Sequence, residues 1–288
     1  MVIISAFMWG MEGVLAKLCY GAGFNTPTLL FLRYFIMAIV FVMIALFTHT
    51  PIIVPKEKWR VVLYITFLHL LTSACLFASF ALLPATLSIL FFYAYPSFAC
   101  IISRFCFKES LGFSRIASLV LSGAGLIFLY WTSFGAVSTM GILLALLAAF
   151  FQGIAINIVG RELPSINKIS YNASLAVIIA IVLAIFNFST TSWAFSFTPS
   201  SWVYILVLAV FSTALANYLY VCGVSIVGAV DAAIAYLVEP VATAVITYLV
   251  FGYLLSQKQV GGAIMILGAV ALQQVFLRLA RKKASLYQ

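Results

Sequence analysis

Glu239 is followed directly by Pro240, and both stand inside the long apolar run AYLVEPVATAVITYLVF. A carboxylate at the bilayer centre costs at least ~2.5 kcal/mol on insertion scales, so such a group marks a substrate or proton site by default. Proline removes a backbone donor, which predicts a kinked helix and a free carbonyl at residue 236. A titratable group beside a helix opening suits a proton or a cationic substrate group. A structural carboxylate bonded to a neighbouring helix is the competing reading.

Glu12 is the second such group, flanked by Gly10 and Gly13, which permit close helix approach. Lys17 lies five residues on, about 7.5 Å along the helix axis. Glu12 reads either as part of a site or as one half of an ion pair with Lys17 or Arg33. Those two cations could attract a substrate carboxylate or snorkel to headgroups. Tyr95 precedes Pro96 as Glu239 precedes Pro240, with Phe92, Tyr93, Tyr236 and Trp9 as candidate neighbours in an aromatic pocket. His69, Thr72 and Ser73 share one helix face, as do Thr213 and Asn217. They read as cavity lining or as interhelical hydrogen bonds, with His69 a candidate proton relay. Asp231 suits the start of a helix and reads as structural.

Nothing points to catalysis, a metal or a cofactor. His49 and His69 are the two histidines, and no GxSxG, HExxH or paired-Asp motif occurs. The five cysteines fall in or beside apolar runs without a CxxC spacing and read as reduced packing residues. An intramembrane enzyme and a non-transporting channel or scaffold stay open as alternative readings.

The elements that carry these residues follow from composition. Of 288 residues, 66% are hydrophobic and 7% charged, with mean hydropathy +1.23. A soluble domain carries about 25% charged residues, so this chain could not cover a core in water. Aromatics make up 16%, including 26 Phe and 14 Tyr. A bilayer core of ~30 Å takes about 20 apolar residues per helix. Ten runs qualify: 2–20, 28–48, 61–80, 84–104, 115–131, 138–159, 170–188, 202–222, 229–251 and 259–277. None alternates as a barrel strand must, and backbone satisfaction in lipid leaves helices. The first run has no basic leader and contains Glu12, so it is not read as a signal peptide. With only Met1 ahead of it, a start slightly upstream is expected.

The net charge of +9 is not a nucleic-acid signal, because the basic residues sit in joins. With a cytoplasmic N-terminus, one side collects Lys56, Lys58 and Arg60, then Arg104, Lys108 and Arg115, then Arg161 and Lys168. The tail adds Arg278, Arg281, Lys282 and Lys283, and the other side holds Lys258 alone. That bias predicts both termini in the cytoplasm.

The chain also repeats itself. FFYAYPSFACIISRFCF (91–107) overlies AYLVEPVATAVITYLVF, placing Tyr95-Pro96 on Glu239-Pro240. WGMEGVLAK (9–17) overlies AFFQGIAIN (149–157), placing Glu12 on Gln152 and Gly13 on Gly153. Units of five helices are odd, so the second is inverted in the membrane, as in many secondary transporters. The expected units are 1–134 and 135–279, followed by a basic tail, 280–288.

At this point the sequence resembles the EamA-type members of the drug/metabolite transporter superfamily. The resemblance rests on Trp9-Gly10 with Lys17, LRYFIMAIVF around Arg33, Pro96 with Glu109, Val238-Glu239-Pro240-Val241, and Gly261 with Gly268. It spans nearly the whole chain. One departure is Gly252-Tyr253, where the second repeat of such proteins usually carries a Glu. The resemblance implies ATP-independent export or exchange of small metabolites such as amino acids. The expected setting is the bacterial cytoplasmic (inner) membrane, with the protein a monomer or homodimer. The absence of a GxxxxGK[ST] loop agrees with it. The expected partners are a small-molecule substrate, lipid and, as a candidate co-substrate, the proton. The expected site comprises Glu239, Glu12, Tyr95, Arg33, Lys17, Gln152, His69, Asn217, Tyr236 and Trp9, with helix breaks at Pro96 and Pro240.

Overall fold

The computed structural model describes residues 1–83, 85–109, 112–130, 138–190, 193, 201–252 and 256–285. The side chains at 13, 17, 77, 80–81, 85–87, 247, 251 and 277–285 lie outside that description. Among the described residues, ten helical spans follow one another. They are α1 (Val2–Gly21), α2 (Thr26–Phe47), α3 (Trp59–Leu82), α4 (Ala85–Phe92 and Tyr95–Phe107) and α5 (Phe113–Leu129). The second set is α6 (Thr139–Glu162), α7 (Lys168–Thr190), α8 (Ser201–Val227), α9 (Ala229–Phe251, in three segments) and α10 (Gln257–Ser285). Among the described residues, nine spans are long and apolar enough to cross a membrane, and α5 has 17 residues.

Local chemistry sets several ends. Asn25 caps α2, its side chain accepting from the Thr28 N–H at 3.0 Å, and Pro27 occupies the first turn. Ser138 caps α6 through the Gly141 N–H at 3.3 Å. Asn167 caps α7 through the N–H groups of Ile169 (2.9 Å) and Ser170 (3.2 Å). α4 and α9 both end on a left-handed residue, Lys108 (φ 56°) and Gly252 (φ 71°). These positions are equivalent in the duplicated stretch. Beyond Lys108, Glu109 accepts from Ser103 Oγ at 2.5 Å and pairs with Arg161. Its counterpart Tyr253 lies outside the described residues.

The packing is symmetric under exchange of the halves. α1 packs on α8 and α9, as α6 packs on α3 and α4, while α2 pairs with α7 and α5 with α10. This is the arrangement of two inverted five-helix repeats. Two glycines fix its register. A Cβ on Gly10 would lie 2.9 Å from Ala242 Cβ and 3.0 Å from Thr243 N. A Cβ on Gly153 would lie 2.9 Å from Phe98 Cβ and 3.0 Å from Ala99 N. Ala242 and Thr243 correspond to Phe98 and Ala99, so the structural mate of Gly153 is Gly10. The expected match of Gly13 with Gly153 is therefore three residues out of register, and Gln152 corresponds to Trp9 rather than to Glu12.

Inside the bundle, small and polar side chains join the helices among buried aliphatic and tyrosine side chains, while bulky apolar ones cover the outside. Asn157 Nδ2 donates to the Ala99 carbonyl at 2.9 Å, Ser79 Oγ to Gly141 at 2.9 Å, and Ser5 Oγ to Ala216 at 2.6 Å. Phe47, Phe105, Phe113, Phe188 and Leu249 are exposed on the periphery. Lipid replaces water as the solvent for that surface, and polar contacts join the helices within.

Candidate functional site

α9 reaches Glu239 through a tight turn of 3-10 helix, Tyr236–Val238. α4 breaks at the matching place, with Tyr93 and Ala94 in a turn ahead of Tyr95-Pro96. The expected free carbonyl at residue 236 is corrected here: the tighter turn brings the Glu239 N–H onto the Tyr236 carbonyl, which satisfies it. α1 comes close because residue 10 has no side chain, a Cβ there lying 3.1 Å from the Glu239 carbonyl. α1 itself turns at Met11, between Gly10 and Glu12. α8 widens to a π-helix over Leu208–Leu215, where Thr213 Oγ1 donates to the Leu208 carbonyl at 2.9 Å. Its Ser212 donates to the Met8 carbonyl of α1 at 2.7 Å. Irregular backbone at membrane depth is tolerated where protein or a cavity surrounds it.

The Glu239 side chain sits half-buried among phenols. Tyr93 is among the groups that interact with it, and its charge also reaches Tyr95, Tyr130 and Tyr236. Tyr95 and Glu239, equivalent in the two repeats, thus lie within electrostatic reach of each other across the pseudo-two-fold. Tyr236 donates to Ser5 Oγ at 2.5 Å. Trp9 lies 5.1 Å from both Tyr220 and Tyr236, whose rings are 5.3 Å apart. Glu12 also acts electrostatically on Glu239.

Glu12 is not free to serve as a second bare anion. Arg33 grips it with both terminal nitrogens, Nη1 to Oε1 and Nη2 to Oε2, the latter at 2.9 Å. Such a fork-to-fork pair is the strongest common geometry for these groups. The Arg33 side chain is 12% exposed and its Nε has no hydrogen-bond partner among the described residues. Of the two partners expected for Glu12, Arg33 is therefore seen, and the Lys17 side chain lies outside the described residues.

The other carboxylates are accounted for at the basic end. Lys58 meets Glu162 at 2.9 Å, Arg161 meets Glu109, and Arg115 holds Asp231 with bonds of 3.0 and 2.8 Å. Gln273 Nε2 adds a third bond to Asp231 at 2.8 Å, in keeping with its structural reading. Glu57 lies in the exposed turn before α3. Among the described residues, Glu239 is thus the one membrane-embedded carboxyl without a cationic partner.

The remaining expected residues divide. Asn217 donates to Asn172 Oδ1 at 2.7 Å, an α8–α7 bond. Gln152 is buried on α6. His69 is half-buried on α3 and has no hydrogen bond or ion pair among the described residues. Thr72 is buried nearby with its hydroxyl unpartnered among them. Tyr130, Tyr220 and Ser5 belong to the cluster without having been expected. Sequence offers no mark for them, since each is one apolar-run Tyr or Ser among many.

The EamA-like transporter family model matches residues 1–131 and 139–273, nearly all of the chain in two blocks. The chain belongs to the EamA-like transporter family. No curated protein matches it. A solved crystal structure with 18% identity, covering 97% of both chains, superposes with a TM-score of 0.81, which shows a shared fold. As an EamA-like transporter it is an integral, multi-pass membrane protein with a small-molecule substrate. In this EamA-like transporter the cluster around Glu239 lies where the two matched blocks meet, with α1, α4 and α5 from the first block and α8 and α9 from the second.

Proposed function

We propose that the Glu239 cluster is the central site of a secondary transporter that exports an amino acid or a related amine-bearing metabolite. One observation carries this reading: Glu239 is embedded, ringed by phenols and unpaired with any described cation. An ammonium group of the substrate, or a proton, supplies the missing charge in alternation. Phenol rings add cation–π attraction for the same group. Residues 1–134 and 135–279 act as two rocking units about this point, and the tail 280–288 and both termini lie in the cytoplasm of a bacterial cell. Arg33, held by Glu12, can exchange that partner for a substrate carboxylate.

The test is uptake by purified protein in proteoliposomes, against a panel of labelled amino acids, amines and nucleosides. Glu239→Gln keeps the size of the side chain and removes its charge. A hydrogen bond to a charged group contributes about 1.5–3 kcal/mol. Its loss slows transport at low substrate about 10- to 150-fold, since 1.36 kcal/mol is tenfold in rate. Equal rates for parent and variant, from mildly acid to mildly alkaline pH, would make Glu239 structural.

A further inference from the structure

A groove runs between α4 and α5 at mid-membrane, beside the break in α4. Its walls are Leu90, Phe91, Leu119, Leu126 and Ile127. Ile127 and Ser97 on its rim are exposed, so it opens on the lipid-facing surface. Its inner wall is Tyr93 and Leu237. Leu237 stands two residues before the Glu239 carboxyl in α9, and Tyr93 interacts with that carboxyl from α4. One phenol therefore separates an apolar groove from the unpaired carboxyl.

The depth of the groove comes from Ala94, Ser97 and Gly123. A Cβ on Gly123 would meet nothing within 4 Å, unlike one on Gly10 or Gly153. This glycine leaves space rather than permitting helix contact. α5 and α10 begin at equivalent residues, Phe113 and Gln257, so the counterpart of Gly123 is Leu267. A leucine stands there in the second repeat, so the space that Gly123 leaves has no counterpart on that side. An apolar channel with a carboxyl behind its inner wall complements one kind of molecule, an apolar tail bearing a cationic head.

We propose that the α4–α5 groove is a tail subsite, reached from the bilayer, for the alkyl or aryl part of a substrate whose ammonium group lies at Glu239. This rests on the reading of Glu239 above. Tyr93 lies at the junction and moves aside as the head group passes.

Ethylammonium and hexylammonium are the probes, measured by equilibrium binding to the full-length protein in lipid nanodiscs. Empty nanodiscs report partition into lipid, which no substitution in the protein alters. Gly123→Leu fills the groove and Gly123→Ala fills part of it. The hexyl-to-ethyl affinity ratio, corrected for partition, should exceed one in the parent. In Gly123→Leu it should fall by up to about 200-fold, the worth of the four extra methylene groups when buried, and in Gly123→Ala by less. A ratio is insensitive to the fraction of protein that is folded. If the ratio stays the same in Gly123→Leu while Glu239→Gln weakens both probes, the groove is no subsite and the Glu239 reading stands. If Glu239→Gln binds both probes as the parent does, the Glu239 reading fails and the subsite falls with it.

Discussion

Replacing Gly10 or Gly153 by alanine should be costly, while the same change at Gly123 should not. At Gly10 the new methyl group would sit 2.9 Å from Ala242 Cβ, 3.0 Å from Thr243 N and 3.1 Å from the Glu239 carbonyl. Carbon atoms rest at about 3.5–4.0 Å, so α1 must retreat from α9 by roughly 0.5–1 Å. Two of the three neighbours are backbone and cannot rotate away. At Gly153 the methyl meets Phe98 Cβ at 2.9 Å and Ala99 N at 3.0 Å, the same clash in the other repeat. Overpacking of this size costs about 1–3 kcal/mol. Each Gly→Ala change also gains about 0.5–1 kcal/mol of helix stability. Gly123, with open space around it, receives that gain alone. The difference between Gly10→Ala or Gly153→Ala and Gly123→Ala is then the clash itself, about 1–3 kcal/mol. Reversible unfolding by SDS in mixed micelles measures all three. If the three variants agree within about 0.5 kcal/mol, the close contacts and the register they define are wrong.

Three further outcomes follow from the charges. Glu12→Gln and Arg33→Gln should each destabilise, and their double-mutant cycle in the same unfolding assay should give a coupling of about 0.5–3 kcal/mol; a coupling of zero would deny the pair. Asp231→Asn strips the α5 guanidinium of a carboxylate that is 5% exposed and should cost about 3–5 kcal/mol, read by SDS unfolding. Restored stability in an Arg115→Met, Asp231→Leu double variant would separate an uncompensated charge from lost packing. Reporter fusions after residue 135 should read outside and those after residue 165 inside; the reverse pattern would overturn the orientation proposed from the basic joins.

Sequence alone determined the solvent, the spans and the place of the unusual carboxyl. Those properties are local: an apolar run of about 20 residues must be helical in lipid wherever it packs. Pro96 and Pro240 announce their breaks because a missing N–H acts within one turn. The duplicated stretch likewise needs no third dimension to be seen. The weaker repeat was misaligned for a physical reason. α1 offers two glycines, Gly10 and Gly13, three residues apart, and either one fits Gly153 by type. Only contact decides, and it is Gly10 that abuts α9. The partner of Glu12 was open between Lys17 and Arg33, because the choice depends on how α1 and α2 rotate toward each other. The carbonyl of Tyr236 looked free because proline spoils the α-helical bond, whereas the tertiary setting holds a tighter turn that mends it. Tyr130 and Tyr220 joined the cluster from α5 and α8 without a local signal. Which face of a helix meets the interior is set by packing against distant segments, and that information is absent from any one stretch of chain.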